Sequence, residues 1–221
     1  MTAEPPRPPT PDLRPSSWLP PGYGGPLLVV ISGPTAVGKT TILRRMRELA
    51  LPYSIVVTAT TRPRAEGEVQ GLDYHFLTRE QFKRMIAAGE FLEHAEVHGA
   101  HLYGIPRIAI REALDRGEDV IVPPDVQGAA TVRALVPGVV TIFIAPPTFA
   151  DLEQRIRRRR REQSEAEIQR RLATARVEMA RVSEFDYLVI NEDGRLDESV
   201  REIVAIIEAE KHRIGRTPVV V

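Results

Sequence analysis

The chain has 221 residues, of which 30 are basic and 30 acidic, so its formal net charge is zero. That balance offers no bulk attraction to nucleic acid or to an anionic membrane. The absence of cysteine excludes disulfides, thiolate metal sites and a cysteine nucleophile. No apolar run approaches the roughly 20 residues that span a bilayer, and no apolar leader core opens the chain. The expectation is a cytoplasmic enzyme, monomer or homodimer, with one large domain and small-molecule partners, without nucleic acid or membrane.

Residues 1–26 hold nine of the nineteen prolines and little apolar surface. They read as a disordered, Pro-rich tail. Beyond them, apolar β-branched runs alternate with helical periodicity, the pattern of a parallel sheet with crossover helices. Candidate strands are 27–32, 54–58, 119–122, 139–144 and 186–190. Their unbroken hydrophobicity suits strands buried on both faces.

The first of these runs into Gly33-Pro34-Thr35-Ala36-Val37-Gly38-Lys39-Thr40 and then a helix-like stretch over 41–49. The octet fits Gly-x4-Gly-Lys-Ser/Thr, and strand, loop, helix is the order that phosphate binding requires. Backbone N–H groups of the loop ring an anion, and the helix N-terminus adds partial positive charge. Gly33 to Thr41 would therefore hold ATP, with Lys39 on the β- and γ-phosphates and the Thr40 hydroxyl on Mg²⁺. Only Lys39, Lys83 and Lys211 are lysines; arginine supplies the other basic residues. A lysine retained at this loop suits a compact charge placed on a phosphate.

Further along, Thr78-x-x-Gln81 opens a helix as a capping box and Gly89 closes it. Arg107 to Arg116 reads as a helix ended by Gly117. Thr148-x-x-Asp151 and Ser164-x-x-Glu167 open two more, with Arg157 to Arg161 between them. A last helix covers about 197–211. Residues 60–106 interrupt this alternation with polar, glycine and aromatic residues, as an inserted subdomain does.

The insertion carries Thr60-Thr61-Arg62-Pro63-Arg64-Ala65-Glu66-Gly67-Glu68, then Gly71-x-x-Tyr74-x-Phe76, Gly89-Glu90-Phe91-Leu92-Glu93 and Tyr103-Gly104. Asp125-Val126-Gln127-Gly128 follows the next helix. With these motifs in this order, the chain from about residue 27 to about residue 210 resembles the guanylate kinase family, which phosphorylates GMP with ATP. The resemblance implies an α/β, three-layer P-loop NTPase fold around a central parallel sheet. Its core would be 27–59 and 107–210, its GMP-binding insertion 60–106 and its arginine-rich lid about 157–166, with 211–221 a C-terminal tail.

The resemblance also implies roles. Arg62, Arg64, Tyr74 and Tyr103 would grip the GMP phosphate, guanidinium forks matching phosphate oxygens in bidentate fashion. Glu93 would read guanine, whose N1–H and 2-amino group are adjacent donors. Adenine sets an acceptor there, and a buried polar group left unpaired costs about 1–3 kcal/mol. Thr58 and Asp125 would add contacts at the base and Glu68 at the acceptor ribose. Arg155, Arg159 and Arg171 fall on the family's lid arginines, which together with Lys39 would neutralise charge on the transferring phosphoryl group. Asn191, the only asparagine, would touch the adenine of ATP.

Four positions depart from the family pattern. Ala65 stands where the second phosphate arginine is expected, and Ile105 where a hydroxyl usually lies near the base. Pro123 replaces a commonly acidic residue, and the stretch 99–103 is one residue longer than the family's. These predict a raised Michaelis constant for GMP. Two other readings are a ribose 1,5-bisphosphate phosphokinase-like sugar-phosphate kinase and a non-catalytic guanylate-kinase-like binding domain. The octet alone also resembles tRNA dimethylallyltransferases, without downstream support.

Overall fold

The computed structural model describes residues 23–97, 101–159 and 164–221. Most of the Pro-rich segment lies outside them. In chain order the elements are β1 (Leu28–Ser32), α1 (Lys39–Glu48), β2 (Tyr53–Ile55), β3 (Ala59–Thr60), β4 (His75–Phe76), α2 (Arg79–Ala87), β5 (Phe91–Val97) and β6 (His101–Pro106). They continue as α3 (Arg107–Asp115), β7 (Asp119–Val122), α4 (Val126–Leu135), β8 (Val140–Ala145), α5 (Phe149–Arg159), α6 (Glu165–Ala180), β9 (Tyr187–Ile190) and α7 (Leu196–Lys211).

A five-stranded parallel sheet has the order β2-β7-β1-β8-β9. β1 is central, with Val29 opposite Ile121 on one side and Val140 on the other. All five of its residues are buried, because strand side chains alternate between two covered faces. Val29 and Ile31 pack with Ile42, Met46, Ile203 and Ile207, while Leu28 and Val30 pack with Ile110, Val120 and Val132. This explains the unbroken apolar run. The chain departs from β1 toward β2 and β7 on one side and β8 and β9 on the other. The C-terminal end of β1 is thus a topological switch point, where α/β sheets bind ligands.

A second, four-stranded sheet, β4-β3-β6-β5, is inserted between β2 and α3. Its small core contains Ala59, Phe82, Phe91 and Leu102, with the two phenylalanine rings stacked at 4.5 Å. α2 closes over it and starts with a full capping box: Gln81 N–H donates to Thr78 Oγ1 at 3.1 Å and Thr78 N–H to Gln81 Oε1 at 2.7 Å. α6 opens the same way at Ser164 and Glu167.

The strand expected over 54–58 is divided between the sheets. Val56 N–H still donates to Ile121 O at 2.9 Å in the parallel sheet, but Thr58 O already accepts His75 N–H at 2.9 Å in the other. One apolar run therefore links the two halves. The stretch after α7 is packed against the body. Arg216 donates to Gly25 O at 2.7 Å and Pro26 O at 3.2 Å, and Val219 and Val221 lie on the apolar cluster around Val120. Among the described residues, no helix is long and apolar enough to cross a membrane.

Candidate active site

The octet 33–40 forms the turn between β1 and α1. Gly33 lies so close to β8 that a Cβ would come within 2.2 Å of Ile144 O, so only glycine fits. Gly38, at φ 105°, caps α1, and a Cβ there would meet Asn191 Nδ2 at 2.4 Å. Between them Ala36 has φ 63°, a left-handed conformation costing an L-residue about 1 kcal/mol. Lys39 Nζ donates to Gly33 O, its own loop. Burial pushes the Lys39 ammonium pKa down, while the carboxylates of Glu178 and Asp125 oppose that shift. Thr40 and Thr41 are exposed on the first turn of α1, beside the loop.

Side chains from three directions brace this loop. Asn191 Nδ2 donates to Val37 O at 2.7 Å, and Ser199 Oγ donates to Asn191 Oδ1 at 3.3 Å. Arg155, on α5, donates to Val37 O at 3.2 Å and Asn191 O at 2.7 Å, and pairs with Asp193 at 2.9 Å. It is 8% exposed. Arg155, expected among the lid arginines, donates here to backbone carbonyls of the loop and of Asn191. Glu178, on α6, accepts Thr35 N–H at 3.1 Å. Glu178 was not foreseen: in the last turn of α6, beside Val177 and Met179, it carries no local signal. The side chain of Arg159 lies outside the described residues, and Arg171 is half-buried on α6.

On the second sheet, Arg62, Glu68, Tyr74 and Tyr103 form one cluster. Arg62 donates to both Glu68 oxygens, at 2.7 and 2.9 Å, and its guanidinium lies 5.4 Å from the centre of the Tyr74 ring. Against the pull of burial, Glu68 and Tyr103 raise the Arg62 pKa, and the Tyr103 ring meets that of Tyr74 edge-on at 6.1 Å. Glu68, expected at a ribose, thus holds Arg62 and also accepts Ala65 N–H at 2.8 Å. Arg64 is exposed and makes no ion pair with another described residue.

Glu93 sits where the two sheets meet. It is 6% exposed, and its carboxylate lies against α4, within 2.9 Å of where a Cβ on Gly128 would project. Glycine at 128 is what lets the carboxylate approach the helix. No described residue donates a hydrogen bond to Glu93. Burial, aided by the nearby Asp125 carboxylate, pushes its pKa up to about 8. Asp125 caps α4, accepting Gly128 N–H at 2.7 Å. Ile105 faces Glu93 across the β5–β6 pair and is fully buried in the apolar cluster with Leu92 and Leu28, contributing no polar group. Thr58 is 7% exposed, and its hydroxyl is sealed from solvent without a partner among the described residues.

The metal-ligand chemistry is sparse. Among the described residues, no group of three or more His, Asp or Glu is gathered to hold a metal. The exposed Thr40 hydroxyl beside the loop fits a cation that arrives with phosphate oxygens and water as its other ligands.

The comparisons with known proteins agree with this geometry. The family model described as guanylate kinase matches residues 26–210. The guanylate kinase of Alkalilimnicola ehrlichii is 41% identical over 189 residues, covering 86% of this chain and 91% of that protein. That of Leifsonia xyli is 47% identical over 180 residues, covering 81% of this chain and 70% of its own. The crystal structure of guanylate kinase from Anaplasma phagocytophilum superposes with a TM-score of 0.70 at 33% identity, covering 87% of this chain and 89% of that one. A phosphate loop at the switch point, an acceptor sheet inserted beside it and matches across nearly the whole described body lead to one conclusion: the chain belongs to the guanylate kinase family.

Proposed function

We propose that the chain transfers the γ-phosphoryl group of ATP to GMP, with the phosphate loop as donor site and the inserted sheet as acceptor site. The observation that carries the acceptor assignment is Glu93, a buried carboxylate without a donor, open to the two adjacent N–H groups of a guanine edge. Lys39 would leave Gly33 O for the β- and γ-phosphates. Arg62 would exchange Glu68 for the GMP phosphate, with the phenols of Tyr74 and Tyr103 beside it. Asp125 and Thr58 border the base. The acceptor is itself a phosphate, so the protein needs no strong base; positioning and electrostatic cover do the chemistry. Arg155, Arg159 and Arg171 are the arginines that would cover the transferring group, Arg155 also bracing the loop. Mg²⁺, with Thr40 as its protein ligand, would neutralise phosphate charge when bound with ATP. A cytoplasmic setting suits an enzyme that draws on ATP.

A coupled assay of ADP release with ATP and Mg²⁺ tests this, comparing GMP, AMP, UMP, CMP and no acceptor. Turnover restricted to GMP is the expected result. Turnover with a sugar phosphate and none with GMP would overturn it.

A further inference from the structure

The turn at Ala36 is held on both sides. Ahead of it, Thr35 N–H is bound by Glu178 Oε2 at 3.1 Å. Behind it, Val37 O is bound by Asn191 Nδ2 at 2.7 Å and Arg155 at 3.2 Å. Arg155 and Glu178 stand on α5 and α6, the two helices on either side of residues 160–163. A left-handed alanine persists only when its surroundings over-determine it, and these three side chains supply that constraint.

Glu178 is costly as a purely structural residue. It is half-buried among the apolar side chains of α6, where Leu172 and Ala175 are fully buried, and burial raises its carboxyl pKa. The Asp125 carboxylate adds repulsion, which Lys39 offsets. An apolar residue of similar size would pack there without the desolvation penalty. What the carboxylate supplies is one acceptor, aimed at one loop N–H.

We propose that Glu178 is a positioning residue of the phosphate loop. Its carboxylate fixes Thr35 N–H so that the strained turn at Ala36 keeps the shape that receives ATP. The inference rests on the loop being the ATP site. It also ties α6, which follows the arginine-rich run, directly to the nucleotide's seat.

The test uses two neutral variants of the full chain, Glu178→Gln and Glu178→Met. Gln retains a carbonyl oxygen for Thr35 N–H; Met retains the size and removes the acceptor. Binding of Mg-ATP is measured by calorimetry, with Michaelis constants for ATP and GMP and melting temperatures alongside. Removing a negative charge beside Lys39 would by itself favour an anionic ligand. Glu178 also opposes the fall in the Lys39 pKa, and both neutral variants lose that support alike, so the difference between Met and Gln reports loop geometry rather than charge. Glu178→Met is expected to melt at or above the parent's temperature, yet to bind ATP about tenfold more weakly, the size of one charge-assisted hydrogen bond lost. Its Michaelis constant for GMP should stay within about twofold, and Glu178→Gln should recover most of the ATP affinity. Equal ATP binding by Glu178→Met and parent would overturn the proposal alone. So would equal losses for Met and Gln, or a matching rise in the GMP constant. A parent that binds no nucleotide would overturn the ATP-site reading and this proposal with it.

Discussion

The donor and acceptor halves of the site prepare for their ligands in opposite ways. On the donor side the protein's polar groups are spent on holding backbone: Asn191, Arg155 and Glu178 fix the carbonyls and N–H groups of the phosphate loop. On the acceptor side the polar groups are either turned on each other, as in Arg62 with Glu68, or left without a hydrogen-bond partner among the described residues, as in Glu93 and Thr58. A loop that binds phosphate through its backbone must be built before the ligand arrives. A pocket that discriminates through buried side chains gains selectivity from groups that only the right base satisfies. The difference makes separable predictions for the two halves.

The largest effect belongs to Lys39. Lys39→Ala should lower turnover about 100- to 1,000-fold, the usual cost of losing one electrostatic contact to the transition state. GMP binding, measured by calorimetry, should hardly change. A comparable loss of GMP affinity would erase the distinction between the halves.

Glu93 is next. Glu93→Gln replaces one acceptor oxygen by a donor facing guanine's own donors. It should reduce kcat/KM for GMP about 10- to 100-fold and narrow the preference for GMP over AMP. The native carboxyl, its pKa pushed up to about 8 by burial, is largely protonated at neutral pH. Guanine selects the ionised form, so binding should expel a proton. GMP affinity should fall toward about tenfold per pH unit well below pH 8. Calorimetry in buffers of differing ionisation enthalpy reads that proton directly. Stability moves the other way. A carboxyl raised in the folded state contributes fully below its unfolded value of about 4.3, and that contribution is lost as pH rises through 8. Glu93→Gln does not titrate, so its melting temperature should fall less between about pH 5 and about pH 9. A GMP affinity independent of pH would contradict the desolvated, donor-free pocket.

What the sequence made legible divides along the same line. The central sheet, the phosphate loop and the capped helices were readable because each rests on local patterns: apolar runs, glycine spacing and capping boxes. The Arg62, Tyr74, Tyr103 and Glu93 constellation was reached through family resemblance, since no short-range pattern joins residues so far apart. Three features escaped. Val56 and Thr58 serve different sheets, which a single apolar run conceals. Arg155 braces the loop from α5, and Glu178 reaches it from the last turn of α6. Both depend on which helix face meets which loop, a tertiary fact without sequence periodicity. Ile105 was legible as a missing hydroxyl. That it seals the apolar cluster opposite Glu93 emerged only from the packing.

Arg62 tests whether the acceptor's internal pair is a placeholder. Arg62→Lys keeps the charge but loses the planar guanidinium that can fork onto a phosphate and that lies over Tyr74. The Michaelis constant for GMP should rise about five- to tenfold while that for ATP stays level. If Arg62 serves only to anchor Glu68, both constants should remain near the parent's.

Thr58 gives the smallest effect and the sharpest sign. Its hydroxyl is buried without a partner among the described residues. Thr58→Val has nearly the same shape and removes that unpaired group. The variant should therefore be slightly more stable, by up to about 1 kcal/mol. If the hydroxyl meets the base when GMP closes the pocket, the same change should weaken GMP binding about threefold. Stability and affinity then move in opposite directions from one atom. Greater stability with unchanged GMP affinity would make Thr58 a packing residue and leave guanine recognition to Glu93 and Asp125. Lower stability would mean that the hydroxyl has a partner in solution, and that this part of the acceptor half is as settled before binding as the phosphate loop.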